Sequence, residues 1–336
     1  MKVLNKNTLV FWGDTLPAAS ARYKLYCLIL ALLYAGILAS FPMDIFMDRE
    51  NYLTFAEFSI VVAARHAADG LLTALMNEPV WLGLNIILSS VFSPETTVRI
   101  LIGLPAFTVA YLVLRFNKKY FFFLILVLLM PQVIKNHIIH LRQGVAISIF
   151  LYAWFCQRPL LKMFLFGIAP FVHSSFFFVL FILIVSNVLS TLRFAPDLKI
   201  VSFSMLGVAV GGTVFSLAAI LGARQAESES YVQYDVSGLG FIFWVFVLLI
   251  FLMQGKSFLR NNSFVIGTLM FYVSCYFLLP VSGRIFESTI VLLFLASISL
   301  TRWRKVAFYM SLMFYTVLLW LIKSQLPLMG YGIREL

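Results

Sequence analysis

The sequence predicts an all-α fold, a polytopic transmembrane helical bundle of roughly 10–12 membrane segments that include short re-entrant helices. Two observations lead to this prediction. First, 62% of the 336 residues are hydrophobic and only 12% are charged, whereas a soluble globular domain has about 45–50% apolar and about 25% charged residues. Second, the 25 Lys and Arg residues outnumber the 14 Asp and Glu residues and fall in short clusters between apolar runs, as the positive-inside bias predicts. The composition therefore excludes an ordinary soluble enzyme, a disordered protein and a nucleic-acid-binding domain.

The apolar runs divide the chain into candidate helices, because a spanning helix needs about 20 predominantly apolar residues. We expect one integral membrane domain over residues 1–336, with a cytoplasmic leader at 1–24 and outer loops at 44–78 and 223–240. The run Val80–Phe92 is short and bounded by prolines, which indicates a re-entrant or interfacial helix on the outer side. The other runs are Leu25–Met43, Arg99–Leu114, Tyr120–Ile134, Val145–Phe155, Met163–Leu189, Ile200–Leu221, Phe241–Met253, Phe264–Val281, Phe286–Leu300 and Val306–Ile322.

Basic clusters orient these runs, because Lys and Arg favour the cytoplasmic side of a membrane. The stretch between the second and third clusters must enter the membrane and return, and Pro170 and His173 interrupt it near its first third. We expect a helical hairpin there, bent in the outer half of the bilayer, where protein or a water-filled cavity must surround a broken helix. The clusters expected inside lie at residues 115–119, 158–162, 193–199, 256–260 and 302–305.

Nothing in the sequence predicts a cofactor or a metal site. The three cysteines, Cys27, Cys156 and Cys275, lie inside apolar runs and have no CxxC spacing. His137 and His140 are three residues apart on one helical face, but no cysteine or nearby carboxylate completes a metal site. We interpret these two histidines as part of an outer interfacial turn.

Charged residues at the ends of apolar runs are the candidates for function, because burying charge in lipid is costly. Four places qualify, and the expected topology puts all of them on the outer side: residues 44–52, 137–144, 173–175 and 283–287. Taken singly, each place also has a purely structural interpretation. An arginine at the end of a span can anchor a helix at the membrane surface, and a buried histidine can form a hydrogen bond with a carbonyl or a serine. Asp48 can be a solvent-exposed residue of an outer loop. Taken together, two or three arginines and a histidine make an anion site, because arginine binds phosphate oxygens in a bidentate way. No nucleotide-binding motif occurs, so we expect a lipid-linked or pre-energised donor.

Two of these places carry motifs of a known family. The run Leu141–Ala146 resembles the "RQ-glycine-x-alanine" signature of Wzy/EpsG-type polysaccharide polymerases. It is followed at a similar spacing by Ile168–Ser175, which resembles the family's isoleucine-alanine-x-x-phenylalanine-histidine-x-serine stretch, with one extra residue between Phe171 and His173.

Three further positions fit the same family in the same order. The segment from Asp48 to Tyr52 is similar to the family's Asp-Tyr-x-x-Tyr segment. In this chain Arg49 stands where the family has the first tyrosine. Glu78, followed by a proline, resembles the Glu-Pro pair ahead of the next helix, and Arg284, preceded by a glycine, resembles a late arginine at a span start. The resemblance covers most of the chain.

The resemblance implies a multi-pass glycosyltransferase of the bacterial inner membrane with a GT-C-like helical fold. It implies that the substrate is an undecaprenyl-pyrophosphate-linked oligosaccharide, whose repeat units are joined at the periplasmic or outer face to build O-antigen or exopolysaccharide. The growing chain would leave its lipid carrier and be attached to the terminal sugar of the next unit. Implied partners are membrane lipids, a chain-length regulator and a flippase, with no nucleic acid.

The residues and the resemblance together assign expected roles. We expect His173, Arg142, Arg284 and Asp48 to be catalytic, with the two arginines clamping the pyrophosphate. His173, kept neutral by burial, is expected to act as general base toward the acceptor hydroxyl or as a hydrogen-bond donor to a phosphate. Asp48 is the alternative base. Gln143 is expected to orient a phosphate or sugar oxygen, and the inverting or retaining outcome stays open. The expected substrate-binding residues are Gln143, Tyr52, Glu78, Ser174 and Glu287.

Two other functions stay open on the sequence. A transporter or flippase for a lipid-linked saccharide also has charged cavities and broken helices, although the sequence shows no two matching halves with paired breaks. A membrane O-acyltransferase acting on the same polysaccharide would also use an intramembrane histidine and arginine. The order of the RQ and histidine motifs favours the polymerase over both.

Overall fold

The structure is a computed structural model that describes residues 16–17, 19–220, 238–279 and 281–333, with side chains at 214–220 not described. Within these residues the regular structure is α-helical, with short 3-10 turns, connecting segments and an isolated bridge between Phe46 and Gly332. The predicted all-α class is therefore confirmed. Most of the predicted leader, and the predicted loop at 223–240 as far as residue 237, lie outside the described residues.

The described residues form seventeen α-helices in chain order. Serines cap two of the longest, since Ser20 and Ser93 each accept a hydrogen bond from a backbone N–H in the first turn. The helices are α1 (Ala21–Ser40), α2 (Arg49–Ala68), α3 (Leu71–Met76), α4 (Pro79–Ser89), α5 (Pro94–Phe116), α6 (Phe121–Leu128), α7 (Pro131–Ile134), α8 (Leu141–Phe155), α9 (Pro159–Val172), α10 (Ser175–Thr191), α11 (Pro196–Ile220), α12 (Gly238–Leu252), α13 (Lys256–Asn261), α14 (Ser263–Cys275), α15 (Ser282–Glu287), α16 (Ile290–Ser297) and α17 (Arg302–Lys323).

Several helices have the length and composition of membrane spans. Among the described residues, α1, α5 and α17 are long and apolar enough to cross a membrane, and one bent pair would add a fourth span. Six further apolar helices have 10–17 residues, so the predicted number of membrane segments stays a prediction. Leu32 on α1 and Phe314 on α17 are more than half exposed, as expected of side chains that face lipid.

Two predicted runs are divided in the structure. The run Tyr120–Ile134 is not one helix, because Lys118–Leu128 and Pro131–His137 are bent by 69°. Met130 adopts an extended conformation between them, since a following proline disfavours the helical region for the residue before it. The run Phe286–Leu300 likewise contains a break, between α15 and α16.

The segment predicted as an outer loop at 44–78 is mostly helical. It contains the twenty-residue α2 and the shorter α3. Its alanines favour a helix, while its charged residues prevent a long apolar run, so hydropathy alone did not reveal it. α2 begins at Arg49, directly after Asp48, and packs against α4 and α5. The side of the membrane on which it lies stays a prediction.

The predicted interruption near His173 is present. α9 ends at Val172 and α10 begins at Ser175, with His173 in an extended conformation between them. The hairpin geometry and its depth in the bilayer stay predictions. The break places the His173 side chain beside the start of α4.

α8 lies at the centre of the bundle. Twelve of its residues are buried, and it packs against α5 and α9. Its start lies tightly against the preceding turn, because a Cβ at Gly144 would lie 2.1 Å from the carbonyl oxygen of Asn136. Only glycine permits this approach, which fixes the position of the neighbouring Arg142 and Gln143.

Candidate functional site

A cavity of about 450 Å³ joins four separate stretches of the chain, and we call it the arginine cavity. All four residues expected to be catalytic line it, together with Gln143 and Tyr52. The lining residues are Asp48, Asn51, Tyr52, Thr54, Phe55, Val62, His140, Arg142, Gln143, His173 and Arg284.

Glu78 connects two of these residues from behind the cavity. Its Oε2 accepts a hydrogen bond from Arg142 Nη1 at 2.5 Å, and its Oε1 lies 2.8 Å from His173 Nδ1. The backbone N–H of Ser174 donates to the same Oε1 at 3.3 Å. Glu78 is only 4% exposed and does not line the cavity. Both carboxylate oxygens are therefore occupied by protein donors, and Glu78 positions Arg142 and His173. Its expected contact with substrate stays a prediction.

The Glu78 carboxylate, in the connection between α3 and α4, is ionised. Burial raises its pKa, but the nearby Arg142 guanidinium and His173 outweigh burial and lower the pKa to about 2. The negative charge balances Arg142, whose guanidinium also lies 5.6 Å from the centre of the Phe55 ring. Arg142, which lines the cavity, is thus held in place.

The Glu78 contact also orients the His173 imidazole. A carboxylate oxygen only accepts hydrogen bonds, so Nδ1 is the donor in this contact. In a neutral ring the proton then lies on Nδ1, and Nε2 keeps its lone pair. The arrangement matches the logic of a base oriented by a carboxylate.

Gln143 joins three helices beside the cavity. Its Nε2 donates to the carbonyl oxygen of Arg284 at 2.7 Å and to Ser288 Oγ at 3.1 Å. Ser288 Oγ in turn lies 3.1 Å from Ser175 Oγ. The amide nitrogen is therefore engaged by protein acceptors while Gln143 lines the cavity, and its expected role toward a phosphate or sugar oxygen stays a prediction.

Tyr52 and Asp48 reach the cavity from the start of α2. The Tyr52 hydroxyl accepts a hydrogen bond from the backbone N–H of Leu141 at 3.1 Å, so it also anchors the start of α8. Asp48 and Glu78 both adopt left-handed backbone conformations, with φ of 63° and 59°. Such strain in residues other than glycine is concentrated at functional sites.

The structure does not bring Ser174 and Glu287 into the cavity lining. Ser174 contributes its backbone N–H to Glu78. Glu287 forms an ion pair with Lys135, with 2.7 Å between Oε1 and Nζ. Both residues therefore bind protein groups beside the site, and their expected substrate contacts stay predictions.

Two features of the site were missed by sequence reasoning. His140, interpreted as part of an interfacial turn, lines the arginine cavity. Arg49 is fully buried, and its guanidinium donates to the carbonyl oxygens of Ile138, Phe41 and Pro42 at 2.9–3.2 Å. It thereby fixes the chain before α2 to the turn before α8. A buried arginine among backbone carbonyls has no local sequence signal.

Within the described residues, no group of three or more His, Cys, Asp or Glu side chains is placed to hold a metal ion. The donors in the cavity lining are guanidinium, imidazole, amide and hydroxyl groups. These bind oxyanions and hydroxyls directly.

The fold and this cavity together define a polytopic α-helical membrane protein whose charged groups converge from distant stretches. The chain belongs to the EpsG family, whose family model matches residues 23–330, nearly the whole chain. This confirms the resemblance seen in the motifs and makes the chain a membrane protein of the polysaccharide polymerase type. No curated protein and no solved structure matches it.

Proposed function

We propose that this protein is a glycosyltransferase that joins undecaprenyl-pyrophosphate-linked oligosaccharide repeat units at the outer face of the bacterial inner membrane. The observation that carries the proposal is the convergence of Arg142, Arg284 and a carboxylate-oriented His173 on one cavity. Membership of the EpsG family supports the same reaction class.

The cavity supplies the groups that this transfer needs. The bond between the anomeric carbon and the pyrophosphate oxygen breaks, and a new bond forms between that carbon and the acceptor hydroxyl oxygen. His173 Nε2 takes the acceptor proton, and Glu78 stabilises the imidazolium that forms. Arg142 and Arg284 stabilise the negative charge that develops on the departing lipid pyrophosphate. Asp48 stays the alternative base, since it also lines the cavity.

The proposal is tested by replacing each arginine in cells that lack the native gene. Removing one preorganised donor for a developing oxyanion typically costs about 100-fold to 1000-fold in rate. We therefore expect Arg142→Ala and Arg284→Ala each to abolish the ladder of long polysaccharide at unchanged protein levels. Arg22→Ala, which removes an exposed arginine near the start of α1, is the matched control and should keep the ladder.

Two results would count against the proposal. Full-length polysaccharide from both cavity variants would show that the arginines do not clamp the leaving group. Purified protein that moves labelled lipid-linked saccharide across vesicles without ever lengthening it would instead identify a transporter.

A further inference from the structure

A second, larger cavity lies at the opposite end of the bundle from the arginine cavity. Its volume is about 1250 Å³, and we call it the amide cavity. α8 separates the two, since Gln143 lines the first and Trp154 lines the second. Eleven residues of helix at about 1.5 Å per residue place these two positions about 16 Å apart along the axis. Between these positions on α8, the Phe150 ring packs against Phe166 and Phe176, with centroids 4.9 Å and 5.4 Å apart.

The wall of the amide cavity is rich in uncharged polar side chains. They are the amides of Asn117, Asn187, Gln254, Asn261 and Asn262, and the hydroxyls of Ser186, Ser190, Ser257, Ser263 and Ser299. The side-chain amides of Asn187 and Asn261 make no hydrogen bond within the part of the chain that the structure describes. Amide groups that both donate and accept are suited to binding hydroxyl groups.

Cations surround this wall. Arg260 belongs to the lining itself, and no Asp or Glu does among the described residues. Three further cations each donate to a lining side chain at 2.7 Å: Lys199 to Ser190, Arg304 to Gln254 and Lys305 to Tyr120. The cavity is therefore positive in an environment that strengthens charge interactions, which favours an anionic ligand.

The lining also has an apolar part. The Trp154 and Phe264 rings stack there, with centroids 5.4 Å apart, beside Leu183, Leu292 and Leu295. A ligand that fills this space has an anionic head, hydroxyl groups and an apolar portion. Basic pockets between helices at a membrane surface bind lipid head groups of this kind.

We propose that the amide cavity is a second binding site, separate from the arginine cavity, that binds a polyol phosphate. This chemistry is shared by the head groups of anionic phospholipids and glycolipids and by free sugar phosphates. Arg260 and its neighbouring cations bind the phosphate, the asparagine amides bind the hydroxyls, and the stacked rings contact the apolar part. The site does not depend on the polymerase reaction proposed above.

The experiment compares purified full-length protein in nanodiscs of phosphatidylcholine alone and with added phosphatidylglycerol. Phosphatidylcholine carries the same phosphodiester without free hydroxyls or net charge. We expect native mass spectrometry to show phosphatidylglycerol retained about tenfold more than phosphatidylcholine, a preference of the size that one good charge-assisted contact provides. Glucose 1-phosphate is the soluble arm: release of the retained lipid at millimolar concentration would identify free sugar phosphates as a competing source.

Matched variants on α13 locate the site. Arg260→Gln should lower phosphatidylglycerol retention about tenfold, and Asn261→Leu should lower it by removing a hydroxyl partner. Lys256→Gln is the control, because Lys256 lies on the same helix outside the lining and contacts exposed Asp197 at 3.7 Å. Melting temperature and elution volume identify any variant that fails to fold. If Arg260→Gln fails to fold, Lys305→Gln on α17 replaces it and should also lower phosphatidylglycerol retention.

Two results would overturn the proposal. The first is wild-type protein that shows neither a preference for phosphatidylglycerol nor binding of glucose 1-phosphate. The second is an equal loss in Arg260→Gln and Lys256→Gln, which would indicate general surface attraction rather than a site. Either result leaves the polymerase test with Arg142 and Arg284 unaffected.

Discussion

Glu78 shows how one side chain sets the geometry of the arginine cavity. Its two carboxylate oxygens hold Arg142 and His173, which lie 64 and 95 residues further along the chain. The Glu-Pro pair could be recognised in the sequence, but these partners could not, because no local pattern records which distant donors share a carboxylate. The sequence therefore led to the residue but not to its positioning role.

Removing the charge of Glu78 should damage both activity and stability. In Glu78→Gln one carboxylate oxygen becomes an amide nitrogen, which cannot accept a hydrogen bond from Arg142 or His173. Breaking a buried ion pair from one side typically costs about 3–5 kcal/mol. We expect a loss of long polysaccharide of at least about tenfold and a clearly lower melting temperature in detergent.

The matched control for this prediction is Glu95→Gln. Glu95 pairs with Arg99 at 2.7 Å, but both side chains are substantially exposed, and an exposed pair of this kind contributes about 0.3–0.5 kcal/mol. Its melting temperature and polysaccharide ladder should stay close to those of the wild type. Equal behaviour of the two variants would show that Glu78 has no special positioning role.

The low pKa of Glu78 predicts a specific dependence of stability on pH. A carboxyl whose pKa falls from an ordinary 4.5 to about 2 on folding stabilises the folded state above the unfolded value by about 3 kcal/mol. That contribution is lost as the pH falls through about 4 toward 2. The difference in melting temperature between wild type and Glu78→Gln should therefore be largest above pH 5 and should shrink toward pH 2. A difference that stays constant over this range would contradict the assignment.

At the scale of helices, the interruption between α9 and α10 was predictable while the course of α2 was not. Pro170 and the lone His173 mark the interruption in an otherwise continuous apolar stretch. α2 mixes charged residues and alanines, so its helix depends on packing against α4 and α5 rather than on hydropathy. Four of the nine polar residues that line the arginine cavity were consequently expected on the loop at 44–78.

The close packing at the start of α8 gives a prediction at the same scale. In Gly144→Ala the new methyl group would lie 2.1 Å from the carbonyl oxygen of Asn136, so α8 must move away and carry Arg142 and Gln143 with it. Strain of this kind costs about 1–3 kcal/mol. We expect a lower melting temperature together with a shortened polysaccharide ladder.

Gly167→Ala on α9 is the control for this helix effect. Nothing lies within 4 Å of a Cβ at Gly167, and alanine is favoured over glycine inside a helix by about 1 kcal/mol. This variant should be as stable as the wild type or more so, with a normal ladder. If Gly144→Ala behaved in the same way, the tight contact with the turn at Lys135–His137 would not position the site.

At the scale of the whole molecule, two polar cavities lie at opposite ends of one apolar bundle. The basic clusters that we expected inside include Lys199, Arg260 and the pair Arg304 and Lys305, and these meet around the amide cavity. The sequence assigned each basic cluster to the cytoplasmic side, but it could not show that these clusters surround the same cavity. The arginine cavity then lies at the opposite end of the bundle, as the proposed reaction at the outer face requires.

This arrangement predicts which residues can be labelled from each side of the membrane. Asn51 lines the arginine cavity and Ser257 lines the amide cavity, and both are exposed. In a background with Cys156→Ser, the two remaining native cysteines, Cys27 and Cys275, are buried. A membrane-impermeant maleimide added to intact spheroplasts should label Asn51→Cys and should label Ser257→Cys only after the membrane is opened. Labelling of both cysteines from the same side would place the two cavities on one face of the membrane. The basic clusters around the amide cavity would then no longer identify the cytoplasmic end of the bundle. The proposed reaction at the outer surface would lose its structural basis.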